Sequence, residues 1–128
     1  MKIDEISAIV VDEAIKVHRD LGPGLFEQIY ETVLAGRLEA RGLKVQTQVG
    51  FPLEFDGHVF DKAFKVDILV EERLVLEIKA VEQLTKAHGK QLLTYLRLLK
   101  QPVGLLLNFS EAVMKDGIRR LVNDHRSE

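Results

Sequence analysis

A mixed sheet flanked by helices, an α/β domain of the α+β kind, is the fold class this sequence predicts, and three observations predict it. Two stretches near the N-terminus carry apolar residues at helical spacing. The middle of the chain alternates apolar and polar with a period of two, and another helical stretch separates it from an almost wholly apolar run at 103–109. The resulting order is helix, helix, three strands, helix, strand, helix. It places about four strands in a central sheet, and the helix before the last strand allows a right-handed crossover to parallel pairing.

The first helix is expected from 4 to about 19, where Ile6, Ile9, Val10, Ala14 and Val17 share one face and Asp12, Glu13, Lys16 and Arg19 the other. Leu21-Gly22-Pro23-Gly24 breaks it, because proline cannot continue a helix and glycine permits unusual backbone angles. A second helix begins near Leu25 or Phe26. It runs through Ile29, Tyr30, Val33, Leu34 and Leu38 and stops at Gly42, a C-terminal cap after Arg41. Residues 45–55 alternate loosely and end at Asp56-Gly57, a turn dipeptide, which gives a strand and a hairpin. The chain resumes at 58–60, passes an irregularity at 61–63 and enters the central pair of strands.

That central stretch, 65–80, puts Asp67, Glu77 and Lys79 on one face. Val66, Ile68, Val70, Leu74, Leu76, Ile78 and Ala80 form the apolar face, leaving Lys65, Asp67, Leu69, Val75, Glu77 and Lys79 on the other. With Glu71-Glu72-Arg73 as a three-residue turn, Val70 pairs with Leu74, and counting outward sets Asp67 across from Glu77. Opposed carboxylates cost a few tenths to ~1 kcal/mol, which solvent, a proton or a hard divalent cation would offset. Lys79 then sits beside such a cation, placed to hold or deprotonate a water. Leu69 and Val75 on the same face point to a charged face that is partly covered. A solvated sheet face with scattered charges is the plainer alternative.

Downstream, Thr85 is the expected N-cap of a helix reaching Lys100, packed through Leu92, Leu93, Leu96 and Leu99. His88, Gln91 and Tyr95 make a second stripe with polar tips, and Lys86, Lys90 and Arg97 lie nearby. The run at 103–109 reads as a strand covered on both faces. A last short helix is expected at 116–123, with Arg119 and Arg120 exposed, followed by a frayed tail.

The bulk properties narrow the function. A chain of 128 residues, 46% hydrophobic, can bury a core as one domain over 1–128 without staples. A net charge of -2 gives no global basic footprint, so any nucleic-acid surface must be local. The absence of cysteine excludes disulfides, thiolate nucleophiles and cysteine-type zinc sites and accords with a reducing compartment. The four histidines, His18, His58, His88 and His125, lack ligand spacing. Acidic residues interrupt the N-terminal apolar stretch, unlike a signal peptide, and no run is long enough to span a membrane, so a soluble cytoplasmic protein is expected.

At this point the motifs combine. Gly24-Leu-Phe-Glu27-Gln-Ile-Tyr30, then Asp67, Glu77-Ile-Lys79, Gln91-Leu-Leu-Thr-Tyr95 and Gly104-Leu-Leu-Leu-Asn108-Phe109 resemble, in that order, the GxxExxY family of the PD-(D/E)XK nuclease superfamily. The resemblance runs from the first helix to about Val122. It implies a restriction-endonuclease-like core and a site for Mg²⁺ or Mn²⁺. Asp67 and Glu77 would be the metal-binding carboxylates, and the Ile78 carbonyl an additional ligand. Lys79 would orient or activate the attacking water, and Glu27 would complete the metal shell or position its water. Gln91 and Tyr95 would border the site and meet a phosphate or its scaffold. Val66 stands where the superfamily's name has proline, a replacement common among its members.

Some of these residues have plainer readings. Glu27 in the first turn of a helix is favoured by the helix dipole, Tyr30 suits a core aromatic with its hydroxyl at the edge, Gln91 suits a helix surface, and His88 suits the first turn of its helix. Two functions are therefore compatible with the sequence. One is a metal-dependent nuclease hydrolysing phosphodiester bonds of nucleic acid, DNA before RNA. The other is a catalytically silent nuclease-fold module that binds or regulates through a partner protein or as a homodimer.

Overall fold

A computed structural model describes residues 1–124. The elements are α1 (Ile3–Leu21), α2 (Glu27–Ala40), β1 (Val45–Phe55), β2 (His58–Val70), β3 (Leu74–Lys79), α3 (Lys86–Leu99), β4 (Val103–Asn108), a single helical turn α4 (Met114–Gly117) and β5 (Ile118–Val122). They form the expected mixed sheet between helices, with five strands in the order β1-β2-β3-β4-β5. The β3–β4 pair is parallel, connected through α3, and the other neighbours are antiparallel.

Two hydrophobic clusters lie on opposite faces of this sheet. Against α1 and α2, the side chains of Ile6, Val10, Ala14, Val17, Leu34 and Leu38 pack on Ile68, Val70, Leu74, Leu76, Ile78, Leu105 and Leu107. On the other face, Leu92 and Leu96 of α3 cover Leu69, Val75 and Leu106, with Tyr95 and Leu99 alongside. β3 and β4 are therefore buried on both sides, which is why residues 103–109 show almost no polar alternation.

Local chemistry sets the boundaries. Gly42, at φ +85°, ends α2 in the left-handed region, and its N–H returns to the Glu39 carbonyl. Thr85 caps α3 by accepting from His88 N–H, while His88 Nδ1 accepts from Thr85 N–H at 3.0 Å. This accounts for His88 as a first-turn residue. The expected irregularity at 61–63 coincides with a register shift, since Phe51 pairs with Phe64 but Leu53 with Phe60. Pro52, which cannot donate to the ladder, sits at that shift.

Two expectations are corrected. The stretch expected as a last helix at 116–123 is mostly β5, an edge strand antiparallel to β4. Its apolar residues Ile118 and Leu121 are three apart, a spacing that also suits a helix. In the strand they face opposite sides, Ile118 packing on the α1–α2 cluster and Leu121 on the α3 cluster. The sheet accordingly gains a fifth strand. Val66, expected on the same face as Ile68, instead joins Leu69 and Val75 in the α3 cluster. Regular pairing lapses between them: Asp67 has no ladder partner on either side, and Gln48, opposite it on β1, adopts φ +51°. The strict alternation is interrupted at that point. The frayed tail lies outside the described residues, as does His125.

Candidate active site

The site is built where β2 and β3 cease to pair. The register is the one counted from the turn, with Val70 opposite Leu74, Leu69 opposite Val75 and Ile68 opposite Leu76, and the ladder stops there. At the next step side chains replace backbone. Asp67 N–H donates to Glu77 Oε2 at 2.8 Å, and Ile78 N–H donates to Asp67 Oδ2 at 2.8 Å. Each carboxylate therefore accepts an amide proton from the opposite strand, which binds the charged form and fixes its direction.

The covered environment anticipated from Leu69 and Val75 is present. Glu77 is 5% exposed, beneath the α3 layer. Burial, then the charge of Asp67, pushes its carboxyl up to about 8, against smaller opposing effects from the Asp67 amide and Lys79. Tyr95, whose ring stacks on Phe64 at 4.7 Å, faces the same pair; desolvation raises its hydroxyl first, then the charges of Glu77 and Asp67. Gln91 is exposed on α3, one turn before Tyr95. Lys79 follows on β3 at intermediate exposure, its carbonyl accepting Phe109 N–H at 2.9 Å.

Glu27 lines the same cleft as Asp67. From the first residue of α2, its Oε1 accepts Ala80 N–H at 3.2 Å, tying the helix to the chain just past Lys79. Among the described residues, no group of three histidine or acidic side chains is gathered to hold a metal ion. The oxygen donors the opening offers to a hard divalent cation are the Asp67 and Glu77 carboxylates, with Glu27 in the cleft beside Asp67. Asp67 Oδ1, with a 3.4 Å contact from Gln48 Nε2, is the oxygen not used by the opposite strand.

Three neighbours were given no role from the sequence. Glu31, one helical turn after Glu27, accepts from Gln48 Nε2 at 2.6 Å, and its carboxyl is raised by burial despite that bond, with Asp67 adding to the rise. The i, i+4 spacing of two glutamates was the available signal. Gln48 was hidden because its placement depends on the left-handed backbone at that residue. Asn108, fully buried, exchanges hydrogen bonds with the Val81 backbone at 3.1 and 2.9 Å and accepts Ser110 N–H at 3.3 Å. It thereby holds the segment leaving Lys79.

Glu27, Gln28, Glu31, Gln48, Lys65 and Asp67 line a cleft of about 380 Å³. A second cleft of about 570 Å³ adjoins it across Glu27 and Gln28 and is bounded by Gly24, Leu25, Phe26, Ala80 and Ser110. No helix is long and apolar enough to cross a membrane among the described residues. Neither the curated proteins nor the solved structures yield a match to this chain. Residues 4–121, which carry the strand opening, both carboxylates, the lysine and the closing strands, match the PD-(D/E)XK nuclease superfamily. A match across nearly the whole fold places this chain in that superfamily.

Proposed function

We propose that this protein is a divalent-metal-dependent nuclease of the GxxExxY branch, hydrolysing phosphodiester bonds of nucleic acid, DNA before RNA, with residues 1–128 as one nuclease domain. The observation that carries the reading is the interlocked Asp67–Glu77 pair at the opening of β2 and β3, with Lys79 two residues on. Superfamily membership supports nuclease chemistry. Asp67, Glu77 and the Ile78 carbonyl would hold Mg²⁺ or Mn²⁺, which when bound polarises the scissile phosphate and acidifies water.

The protein's own groups would do the rest. Asp67 and Glu77 are oriented by amides of the opposite strand, so they bind without reorganising. Lys79 directs or deprotonates the attacking water and balances charge growing on the phosphate. Glu27, anchored on Ala80, fixes the chain beyond Lys79 and would complete the metal shell or position its water. Gln91 and Tyr95 border the site from α3, where they meet a phosphate or its scaffold. A cytoplasmic location, and assembly as a homodimer or with a partner protein, belong to the same proposal.

A second reading, a silent binding or regulatory module, is favoured by the fact that both carboxylates already join the two strands through backbone amides, a structural duty that needs no cation. Cleavage of labelled linear, circular and single-stranded DNA and of RNA, with Mg²⁺ or Mn²⁺, separates the two. Metal-dependent products lost in Asp67→Ala and Lys79→Ala establish the nuclease. A folded wild type that cleaves none of them belongs to the second reading.

A further inference from the structure

The second cleft holds a feature that hydrolysis itself does not use. Phe26 is 86% exposed, the most exposed of the large apolar side chains, with Leu25 and Ile29 also open beside it. Its backbone is nonetheless held firmly. Tyr30, fully buried and stacked on Phe109 at 4.5 Å, donates from its hydroxyl to the Gly22 carbonyl at 2.6 Å and accepts Leu25 N–H at 3.0 Å. The loop before α2 is thus pinned to the core on both sides of its turn. The next residue, Glu27, is bonded to Ala80 just past Lys79. An aromatic ring is therefore presented to solvent from a fixed support, in a cleft that shares Glu27 and Gln28 with the cleft containing Asp67.

We propose that Phe26 is a stacking surface for an unpaired nucleobase adjoining the scissile phosphate, which makes single strands or frayed ends the preferred substrate. The inference rests on the nuclease reading and adds the substrate class to it. A phosphate at Asp67 and Glu77 leaves its neighbouring nucleoside to be lodged close by, and the adjoining cleft across Glu27 and Gln28 is room for it. Only a base with a free face can stack on a free ring, because the bases within a duplex already have both faces covered by neighbours. Base–aromatic stacking tolerates any base, which suits a site with few side chains for reading sequence. Gln28 and Ser110 supply polar groups at the cleft wall for the base edge.

The sequence contains no tryptophan, so Phe26→Trp introduces a single reporter at the site. The variant, with Ca²⁺ to bridge phosphate and carboxylates, is titrated with oligothymidylate, oligouridylate and an abasic strand of equal length. Quenching of its fluorescence by either base-bearing strand but not by the abasic one is expected. Phe26→Ala should weaken binding of a labelled base-bearing strand by about 5- to 150-fold and leave abasic binding unchanged. Equal quenching by the abasic strand, or none by any strand, overturns the proposal. So does blue-shifted emission together with a doubled mass before any strand is added, since a second copy would then cover the ring. Because no cleavage is read, a failed nuclease assay alongside base-dependent quenching would sink the catalytic reading alone.

Discussion

Asp67 and Glu77 are bound to one another's strands through side chain and backbone, with Asp67 N–H on Glu77 Oε2 and Ile78 N–H on Asp67 Oδ2, both at 2.8 Å. These two bonds stand where the next rung of the antiparallel ladder would have formed. The carboxylates are therefore structural before they are chemical. Hydrogen bonds to charged acceptors contribute about 1.5–3 kcal/mol each. Asp67→Ala should cost about 1–3 kcal/mol in urea denaturation, and Asp67→Asn, which keeps an acceptor, clearly less. An Asp67→Ala protein as stable as wild type would show that the side chain does not tie β2 to β3.

The raised Glu77 carboxyl makes stability depend on pH. An unfolded glutamate ionises near 4.5, whereas folded Glu77 holds its proton up to about 8 because it is buried next to Asp67. Between those values the folded state binds more protons, so the stability from Glu77 is fully present below about pH 4.5 and is lost as pH rises through about 8. The loss should be on the order of a few kcal/mol. Glu77→Gln should flatten this slope in metal-free denaturation measured at pH 5.5, 7 and 8.5. An equally steep slope in the variant would assign the proton elsewhere.

Adding the metal should reverse that trend, because a cation and a proton compete for the same carboxylates. Mn²⁺ at a hundredfold excess over its dissociation constant stabilises a binding-competent fold by about 2.7 kcal/mol, and the excess required should be smaller at pH 8.5 than at pH 6. Asp67→Asn should lose most of the effect. Lys79→Met should keep it while losing at least about 100-fold in cleavage, and loss of both properties in Lys79→Met would make the lysine part of the metal site instead.

Much of this was legible in the sequence, and the reasons differ from residue to residue. The Asp67–Glu77 opposition followed from period-two alternation and a turn of three residues, two purely local signals. The α3 cap followed from Thr85 alone. The opening of the strands did not follow, because it depends on each carboxylate finding the opposite backbone, as Asp67 finds Ile78. Edge strand β5 was obscured because Ile118 and Leu121 serve two different cores, which only the tertiary fold supplies. Glu31 was passed over because its raised carboxyl depends on burial and on Asp67 across the cleft.

Glu27 can be separated into charge and anchor. Its Oε1 accepts Ala80 N–H, a bond that glutamine can also make. Glu27→Gln should therefore preserve the thermal midpoint to within a degree or two, and Glu27→Ala should release the bond at a cost of about 0.5–1.5 kcal/mol. If the charge serves the reaction, both variants lose cleavage alike. Full activity in Glu27→Gln would leave Glu27 as an anchor for the Lys79 strand.

The last expectation concerns the packing that holds the far end of the site. Gly117 lies so close to β4 that a Cβ there would come 2.2 Å from the Asn108 carbonyl oxygen, a backbone atom that cannot turn aside. Asn108 in turn fixes Val81 and Ser110, so a shift of β4 would disturb the chain leaving Lys79. Gly117→Ala should therefore destabilise by about 1–3 kcal/mol or more and reduce cleavage although it touches no reacting group. Gly36, exposed on α2 with open space around it, is the control. There alanine should stabilise by about 0.4–1 kcal/mol through lower freedom of the unfolded chain and better helix propensity. Equal stability of the two variants would show that β4 and the turn before β5 are not packed this closely.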